Sequence, residues 1–390
     1  MSMASKLTNV SEAMDARANW DDLPPELWPK IGRSLHHHVD LLRFRSVCNS
    51  WRSSIPPSLP NSPSSFPLQI PHPINPSMFV FLTHSSVYRI EPPHQPSSSS
   101  PPKSWLIKLE GLSNHSESRP LRLLNPLSDR KISIPQSSSP TILNLLDYRV
   151  VELHKSYTLQ KFRHPIKKVV FFPTSCWSDM EDSMVCCIYE EGKLALFKRG
   201  DNKWMLVDDK NFHYDDLIVY KGQFYVTDRW GTILWIDTCS LKLIQYSPPL
   251  CGFGHKKHLV ESCGNLYVVD RYYDGGPRRR NNDARVVDFK VYRLDEEWGR
   301  WVDVKDLKDR VFLLGDSCSF SVCANDFAGC AGNCIFFTDV FYVGVYNLVG
   351  DSIMTYELDP SSLKLFWPPF LASDSEDTAT LTTFDSLYRL

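Results

Sequence analysis

The stretch "YKGQFYVTDRWGTILWID", residues 220–237, decides the fold of this chain because its pattern recurs twice downstream. Residues 262–276 read "SCGNLYVVDRYYDGG" and residues 330–344 read "CAGNCIFFTDVFYVG". All three have a turn with Gly, an apolar strand that ends in Asp, and then an aromatic-rich loop. Such an internal repeat indicates one structural unit used several times. The repeated Asp indicates a structural role in the turn, and its copies are Asp228, Asp270 and Asp339.

Each repeat extends to four strand-like runs, with one apolar run before the core and two after it. Around residues 220–237 these are "DDLIVY" upstream and "TILWID" with "LIQYSP" downstream. A fourth unit fits residues 167–207, and a less regular fifth uses runs between residues 104 and 135. Four-stranded units of about 40 to 50 residues are typical of β-propeller blades.

The runs "MFVFLTH" (78–84) and "VYRIE" (87–91) remain, and we expect them to form a closing blade with the chain end "SLYRL" (386–390). The sequence therefore predicts a propeller of six four-stranded blades, with five and seven as alternatives. A β-sandwich followed by a second β domain is the competing fold, in which the regular spacing would be a coincidence. Kelch and WD-repeat signatures are missing, because neither a Gly-Gly doublet nor a Trp-Asp dipeptide recurs.

Composition divides the chain into an α part and a β part, as in an α+β multidomain protein. Thirteen of the 28 prolines lie between residues 56 and 102, a composition typical of linkers and long loops. The predicted organisation is a disordered N-terminus (1–18), a small helical domain (19–55), a Pro/Ser-rich linker (56–76) and an all-β domain (77–390) with a flexible loop near 92–103.

The segment "DLLRFRSVCNSWRSSI", residues 40–55, is predicted to be one amphipathic helix. Its apolar side chains fall within an arc of roughly 120° on a helical wheel: Leu41, Phe44, Val47, Cys48, Trp51 and Ile55. Packing inside its own domain is the ordinary interpretation of such a helix. However, about 36 residues of helix are too few to support a core readily, which favours a core shared with a partner.

Composition also excludes several classes of partner. A formal net charge of -2 with 23% charged residues argues against a nucleic-acid binder, which carries a strongly basic surface. No stretch has the length and apolarity of a membrane span, and residues 1–19 lack a signal-peptide core. The 11 cysteines are odd in number and often lie in apolar runs, which indicates reduced thiols. We therefore expect an intracellular protein of the nucleus, the cytoplasm or both.

Motifs of catalysis and of metal binding are not evident. The chain has no Walker loop, no G-x-S-x-G elbow and no H-E-x-x-H, and a propeller enzyme would need titratable groups that converge at the channel mouth. Two sets of residues lack the spacing of metal ligands and are interpreted as structural: Cys318, Cys323, Cys330 and Cys334, and the pair His255 and His258. We predict that the chain is no enzyme and needs no metal or cofactor.

Loops between the second and third strands of the blades are expected to emerge on one face of the propeller. They cover residues 228–232, 270–285 and 339–351 and are aromatic and partly basic. Because aromatic and Arg side chains dominate interface hot spots, the candidate substrate-binding residues are Trp230, Tyr272, Tyr273, Arg278, Arg279, Phe341 and Tyr342. The alternative is that the aromatic residues pack between blades and that residues 278–280 form a mobile loop or a nuclear-import signal.

Residues 20–55, "WDDLPPELWPKIGRSLHHHVDLLRFRSVCNSWRSSI", resemble the F-box. The residues that match its pattern are Leu23, Pro24, Glu26, Leu27, Ile31, Leu35, Asp40, Leu41, Arg43, Val47, Cys48, Trp51 and Arg52. The whole chain is similar to a plant-type family in which an F-box precedes a β-rich associated domain. The run "LRLLNPLSDRKISIP" (121–135) matches one that is common in that family.

The resemblance implies a non-catalytic subunit of an SCF-type ubiquitin ligase. The F-box would dock on a Skp-type adaptor, which holds a cullin scaffold, while the β domain selects a protein substrate for ubiquitination. The implied adaptor-binding residues, which would divide between the F-box core and the adaptor surface, are Leu23, Pro24, Leu27, Ile31, Leu35, Leu41, Phe44, Val47 and Trp51. The alternative is an F-box-containing binding module that acts outside a ligase complex.

Three details of the helical segment bear on this resemblance. The family has a helix break near the Val47-Cys48 pair, where the single helical wheel is approximate. Pro29 would remove a backbone donor just inside the first helix unless that helix starts later. Residues 36–38, "HHH", are predicted to be a solvated segment between helices rather than a metal site or a pH sensor.

Overall fold

A computed structural model of the chain describes residues 23–56, 59, 65–92, 104–111, 121–132, 140–142, 148–208, 213–274, 285–327, 330–339, 342–357, 365–366 and 378–380. Three short helices come first: α1 (Leu27–Arg33), α2 (His38–Ser46) and α3 (Asn49–Ser53). Most of the remaining described chain is β-strand. The predicted disordered N-terminus (1–18), most of the predicted loop near 92–103 and the chain end (386–390) lie outside the described residues.

The predicted helix over residues 40–55 is two helices rather than one. α2 ends at Ser46, Cys48 is extended with φ −159° and ψ 174°, and α3 begins at Asn49. At this break Val47 leaves the apolar stripe and is 59% exposed. Pro29 is tolerated because it is the third residue of α1, and the first N–H groups of a helix have no acceptor within the helix.

The first sheet is built around one long strand, β2. Its strands are β1 (Leu68–Pro71), β2 (Phe79–Glu91), β3 (Trp105–Gly111), β4 (Leu121–Leu124) and β6 (Arg149–Gln160). One edge of β2 pairs with β6 along most of its length, and the other edge pairs with β1 and then with β3. The strand β1 therefore lies inside the predicted linker. A separate parallel pair joins β5 (Pro140–Ile142) to β24 (Thr378–Thr380).

The next three sheets are antiparallel, with four strands each in sequence order. They are β7 (Ile166–Phe172), β8 (Met184–Tyr189), β9 (Lys193–Lys198) and β10 (Met205–Leu206); β11 (Tyr214–Tyr220), β12 (Gln223–Asp228), β13 (Ile233–Asp237) and β14 (Lys242–Gln245); and β15 (Lys256–Ser262), β16 (Asn265–Tyr273), β17 (Val286–Asp295) and β18 (Arg300–Val304). They match the predicted units in this part of the chain.

The fifth sheet departs from that simple order. Its strands run β20 (Ser319–Cys323), β19 (Arg310–Leu314), β21 (Cys334–Thr338), β22 (Tyr342–Asn347) and β23 (Ser352–Glu357) across the sheet. The pair β19 and β21 is parallel, while the other pairs are antiparallel. The apolar run before the third copy of the repeat, "RVFLLG" (310–315), was expected to be the first strand of its blade. It is the second strand, and β20 takes the innermost place.

The five sheets are the blades of a propeller around a central channel. Each blade places one strand at the channel, and these inner strands are β6, β7, β11, β15 and β20. Consecutive inner strands from β6 to β20 lie next to one another. The prediction of a propeller is confirmed, and the competing β-sandwich is excluded.

The prediction of six blades is wrong, because the described residues form five, which was one of the two alternatives. The runs at residues 78–84 and 87–91 are one continuous strand, β2, which pairs with β3 of the less regular unit. Two apparent partial blades are thus a single blade. Its innermost strand is β6, "RVVELHKSYTLQ", whose polar residues face the channel and mask its strand pattern.

Apolar packing between blades explains why the central strands are continuous apolar runs. In β8 the neighbours Cys186 and Cys187 point to opposite faces of the blade, and both are fully buried. The two faces of this blade thus pack into different apolar clusters, and a sheet buried on both faces has continuous apolar strands. The described residues include all eleven cysteines, and all are free thiols.

The ring closes between the first and fifth blades. Val87 and Leu106 of the first blade share an apolar cluster with Leu313 and Phe336 of the fifth. The backbone N–H of Ser104 also donates to the Asp326 carbonyl at 2.8 Å. Side-chain packing therefore supplies much of the closure.

Gly344 provides a test of packing within the fifth blade. A Cβ atom at this position would overlap the ring of Phe337, whereas a Cβ atom at Gly111 meets nothing within 4 Å. We expect Gly344→Ala to lower the free energy of unfolding by about 1 to 3 kcal/mol, measured by urea denaturation. Gly111→Ala is the matched control and should have little effect. Equal effects of the two substitutions would contradict this packing.

Candidate functional site

The helical unit, residues 23–56, has a small core of its own. Leu41, Phe44 and Ile55 are buried in it, and the rings of Phe44 and Trp51 lie 4.5 Å apart between centroids. α1 approaches this core closely, since a Cβ atom on Gly32 would overlap the side chain of Ile55. The side chain of Trp51 is therefore part of the internal packing as well as part of the surface.

Two arginines hold the end of α3 against α2. The Arg45 guanidinium donates from Nη1 to the carbonyl of Ile55 at 2.6 Å, and Arg52 donates from Nε to the carbonyl of Arg45 at 3.2 Å. The carbonyl groups at the end of a helix receive no N–H from within the helix, and the two arginines supply the missing donors. The arginines that border the predicted apolar stripe thus have an internal structural role.

The loop between β7 and β8, residues 173–183, fastens the helical unit to the propeller, and we call it the docking loop. Cys176 is fully buried in the core of the helical unit. The Trp177 indole donates from Nε1 to the carbonyl of Leu35 at 2.8 Å. The backbone N–H of Cys176 donates to the carbonyl of His36 at 3.4 Å. The core of the helical unit is therefore completed by a residue of the propeller.

The His-rich segment between α1 and α2 contacts the propeller as well. The ring of His36 is hydrogen-bonded through Nδ1 to Ser175 Oγ at 3.2 Å, and Nδ1 of His37 lies 3.2 Å from Oε2 of Glu152. Although His36 and His37 are exposed, both thus have partners on the propeller. The prediction of a merely solvated segment missed these contacts, because the partners lie more than 100 residues away in sequence.

The helical unit partly covers one end of the channel. A cavity of about 670 Å³ is lined by inner strands of all five blades, by His36 and His37 of the helical unit, and by Thr174 and Ser175 of the docking loop. Its lining contains four Lys or Arg side chains and two carboxylates: Lys155, Lys168, Lys221, Arg310, Glu152 and Glu261. The cavity has the size of a small-molecule site.

Electrostatics near this cavity favour an ionised Glu152 and neutral histidines. Burial opposes the charge of Glu152, but hydrogen bonds from His37 and Ser86 and the charge of Lys155 lower its pKa to about 2. Burial lowers the pKa of His38 to about 4 and that of His84 to about 3. Burial and the nearby charge of Lys168 also lower the pKa of His154 to about 3.

The loops predicted to bind substrate lie on the opposite face of the propeller. Successive turns of an antiparallel blade lie at alternate ends of its strands. The docking loop follows an inner strand and so lies at one end. The predicted loops follow the second strand of a blade, or β21, which runs parallel to the second strand β19, and so they lie at the other end. Trp230 is 65% exposed there, and its carbonyl accepts from the N–H of Cys251 at 3.2 Å. Close to it, Phe253 is 89% exposed. Sequence analysis missed Phe253, for which only the flexible "CGFG" context was a signal.

Other predicted substrate-binding residues are less accessible. Tyr272 and Tyr273 end strand β16, and Tyr342 begins β22, so the predicted loops are shorter than expected. Tyr273 and Tyr342 pack against the apolar cluster between the fourth and fifth blades, as the alternative prediction had it. Arg278, Arg279 and Phe341 lie outside the described residues.

The repeated Asp residues have structural contacts. Asp228 accepts from the N–H groups of Trp230 and Thr232, each at 2.8 Å, within its turn. Asp270 forms a fully buried ion pair with Lys257 at 2.6 Å. Asp339 pairs with Arg271 at 3.3 Å. The three positions of one repeat therefore stabilise the same end of their blades by different bonds.

Within the described ranges, no three or more His, Cys, Asp or Glu side chains are grouped so that they could hold a metal ion. The same part of the chain contains no helix long and apolar enough to cross a membrane.

Comparisons with known proteins agree with this architecture. The family model described as the KIB1-4 beta-propeller matches residues 78–347. The F-box protein SKIP23 of Arabidopsis thaliana is 33% identical over 397 aligned positions, which cover 90% of this chain and 94% of that protein. The chain belongs to the F-box proteins that carry a KIB1-4 β-propeller. The putative F-box protein At1g65770 of the same plant is also 33% identical, and the match covers 91% of this chain and all of that protein.

Family membership confirms the resemblance seen in the sequence and identifies the helical unit as the F-box. The residues predicted to bind an adaptor fall into three groups there. Leu41 and Phe44 are buried in the core of the F-box, and any effect on a partner would be indirect. Pro24 and Val47 are exposed. The half-buried residues are Leu23, Leu27, Ile31, Leu35 and Trp51.

Cys176 offers a chemical probe of the docking between the F-box and the propeller. Burial raises the pKa of its thiol to about 11, so alkylation by iodoacetamide at pH 8 should be slow. We expect Trp177→Ala to remove the bond to Leu35 and to speed this alkylation by about tenfold, measured by mass spectrometry of the modified peptide. Trp298→Ala is a control, because Trp298 is an exposed turn residue. An unchanged rate in the Trp177 variant would show that the loop does not hold the F-box.

Three half-buried histidines predict a loss of stability in mild acid. His38, His84 and His154 bind protons more weakly in the folded chain than in the unfolded chain, where the pKa is about 6.5. Their contribution is therefore present above pH 6.5 and is lost as the pH falls toward 4, by up to about 1.4 kcal/mol per pH unit for each histidine.

Urea denaturation at pH 7.5, 6 and 5 measures this effect. His154→Gln should reduce the slope of unfolding free energy against pH, whereas His213→Gln, at an exposed position, should not. A slope that is the same in all three proteins would contradict a neutral His154 in the folded chain.

Proposed function

We propose that this F-box protein is the substrate-recognition subunit of an SCF-type cullin ubiquitin ligase. The F-box docks on a Skp-type adaptor, and the propeller holds a protein substrate for ubiquitination. The chain contributes binding surfaces and no reacting group, since ubiquitin transfer belongs to the other subunits. The main support for this proposal is that the side of the F-box that contains Cys176 packs on the propeller, while Pro24 and Val47 remain exposed.

Exposure of Val47 supports an interface at the break between α2 and α3. A valine at 59% exposure on so small a unit gains free energy when a partner covers it. Pro24 lies at the other exposed end of the F-box pattern, before α1. Half-buried residues such as Leu27 and Ile31 can add contact area without being removed from the F-box core.

The fixed position of the F-box supports a ligase subunit, because such a subunit must hold its substrate at a constant distance from the transfer site. Cys176, Trp177, His36 and His37 make contacts across the junction. The face of the propeller away from the F-box presents Trp230 and Phe253. Aromatic side chains of this kind are the usual anchors of protein interfaces, so we place the substrate there.

Val47→Asp tests adaptor binding. The charge would be buried without a partner in the interface, and we expect affinity for a Skp-type adaptor to fall about 30-fold or more, or about 2 kcal/mol, in a pull-down titration. Val287→Asp is the matched control, because Val287 is a similarly exposed valine on β17 of the propeller. Full retention of the adaptor by the Val47 variant would contradict the proposed interface. Recovery of the adaptor without any cullin would favour an F-box module outside a ligase.

A further inference from the structure

We propose that the channel beneath the F-box binds a small organic anion, with its acid group held by Lys155 and Arg310 and its apolar part against the channel wall. This site is separate from the adaptor and substrate surfaces proposed above. It is lined by residues from all five blades and from the F-box, in the cavity of about 670 Å³.

Two of the four cations in this cavity already have carboxylate partners outside its lining. Lys168 pairs with Asp216 at 3.4 Å, and Lys221 pairs with Glu296. These two charges are therefore neutralised by the protein itself.

The other two cations contact only neutral acceptors. Lys155 donates from Nζ to the carbonyl of Thr174 at 3.0 Å. Arg310 donates from Nη2 to Ser321 Oγ at 2.7 Å and from Nε to Ser262 Oγ at 3.3 Å. Among the described residues, neither cation has a carboxylate within ion-pair distance. The charge of Glu152 attracts Lys155 from beyond ion-pair distance. Half-buried charges without a carboxylate in direct contact favour an anion that enters the cavity.

The carboxylates of the cavity are committed to other contacts. Glu152 accepts a hydrogen bond from the hydroxyl of Ser86 at 2.7 Å, and its Oε2 lies 3.2 Å from Nδ1 of His37. Glu261 accepts the backbone N–H of Gly264 at 2.7 Å and so stabilises the turn after β15. These bonds hold the two acids in place, which leaves room for an external acid group beside Lys155 and Arg310.

Ser319 supplies a further polar group. The residue belongs to the lining of the cavity and is 4% exposed, and its buried Oγ has no hydrogen-bond partner among the described residues. A buried hydroxyl without a partner costs free energy, which a ligand oxygen would recover. Ser319 lies on the inner strand β20, two residues from Ser321, which binds Arg310. The hydroxyl of Ser319 on β20 and the Arg310 cation on the neighbouring strand β19 thus belong to one blade.

The remaining wall suits an apolar body. Phe320 stacks on the ring of His154 at 5.2 Å, and burial keeps that ring neutral with a pKa of about 3. Ile218 and Val219 of β11 line the cavity opposite the first blade. A ligand with an acid group and a ring or chain fits this combination better than inorganic phosphate alone does.

The position of the cavity links the ligand to the F-box. His36 and His37 of the F-box and Ser175 of the docking loop belong to its lining. A ligand that contacts both parts binds the docked arrangement better than a separated one, and it therefore stabilises the docking. Hydrogen exchange in residues 174–177 should become slower when the ligand is bound.

A pair of fluorescent probes tests this proposal on the full chain. 8-Anilinonaphthalene-1-sulfonate carries an acid group on an aromatic body, and N-phenyl-1-naphthylamine is its uncharged counterpart. We expect saturable binding of one sulfonate per chain, about tenfold tighter than that of the neutral probe, with competition by aromatic carboxylates. Equal affinity of the two probes, or no saturable binding, would overturn the anion site.

Variants locate the bound probe. Arg310→Gln and Lys155→Gln should each weaken binding of the sulfonate about tenfold or more, while Lys305→Gln, an exposed lysine beyond β18, should not. Ser319→Ala removes a hydroxyl without a hydrogen-bond partner in the described part of the chain, so the variant should fold normally and still weaken binding. Unchanged binding in the Ser319 and Arg310 variants would place the probe elsewhere and refute the proposal. Adaptor binding is measured in the same samples and distinguishes this outcome from a failure of the ligase role.

Discussion

The helical unit depends for its stability on the burial of Cys176 and on the hydrogen bond from Trp177 to the carbonyl of Leu35. Helices of seven, nine and five residues cannot enclose enough apolar surface to be stable alone. The docking loop supplies the missing part of their core. The orientation of the F-box is therefore fixed by side chains in an apolar core.

Charge is distributed unevenly along the axis of the propeller. Away from the F-box, Lys257 pairs with Asp270 and Arg271 pairs with Asp339, and such buried pairs are costly to break. Toward the F-box, Lys155 and Arg310 are left with hydroxyl and carbonyl acceptors. Buried ion pairs therefore stabilise the end of the propeller away from the F-box, whereas the end beneath the F-box contains the polar cavity.

Local patterns in the sequence predicted what depends on neighbours in the chain. The four-stranded repeats after residue 167, the structural role of the repeated Asp and the F-box motif all came from short-range patterns. Predictions failed where distant residues decide the outcome. β2 looked like two strands because the polar residues Thr83 to Ser86 interrupt its apolar pattern, whereas in the fold they continue the strand and pair with β6, a partner far along the chain. β6 itself was missed because its polar residues face the channel.

In the candidate site, too, features that depend on local sequence were predicted and features that depend on distant residues were missed. Trp230 was predicted from its loop, whereas Phe253 had no repeated pattern to mark it. His36 and His37 were recognised as a cluster, but their partners Ser175 and Glu152 were invisible without the fold. Arg310 looked like an ordinary residue at the start of a strand, because nothing in a linear sequence tells which cations lack a carboxylate.

The shared core also limits how this architecture can evolve. The F-box is a contiguous segment, residues 23–56, but its core is not contiguous in sequence. In this chain one of its core positions, Cys176, is encoded more than a hundred residues downstream, inside the second blade. An F-box taken from another protein would meet an unmatched docking loop. The F-box and the propeller of this chain are therefore coupled by packing, and a substitution on one side of the junction changes which side chains the other side can accommodate.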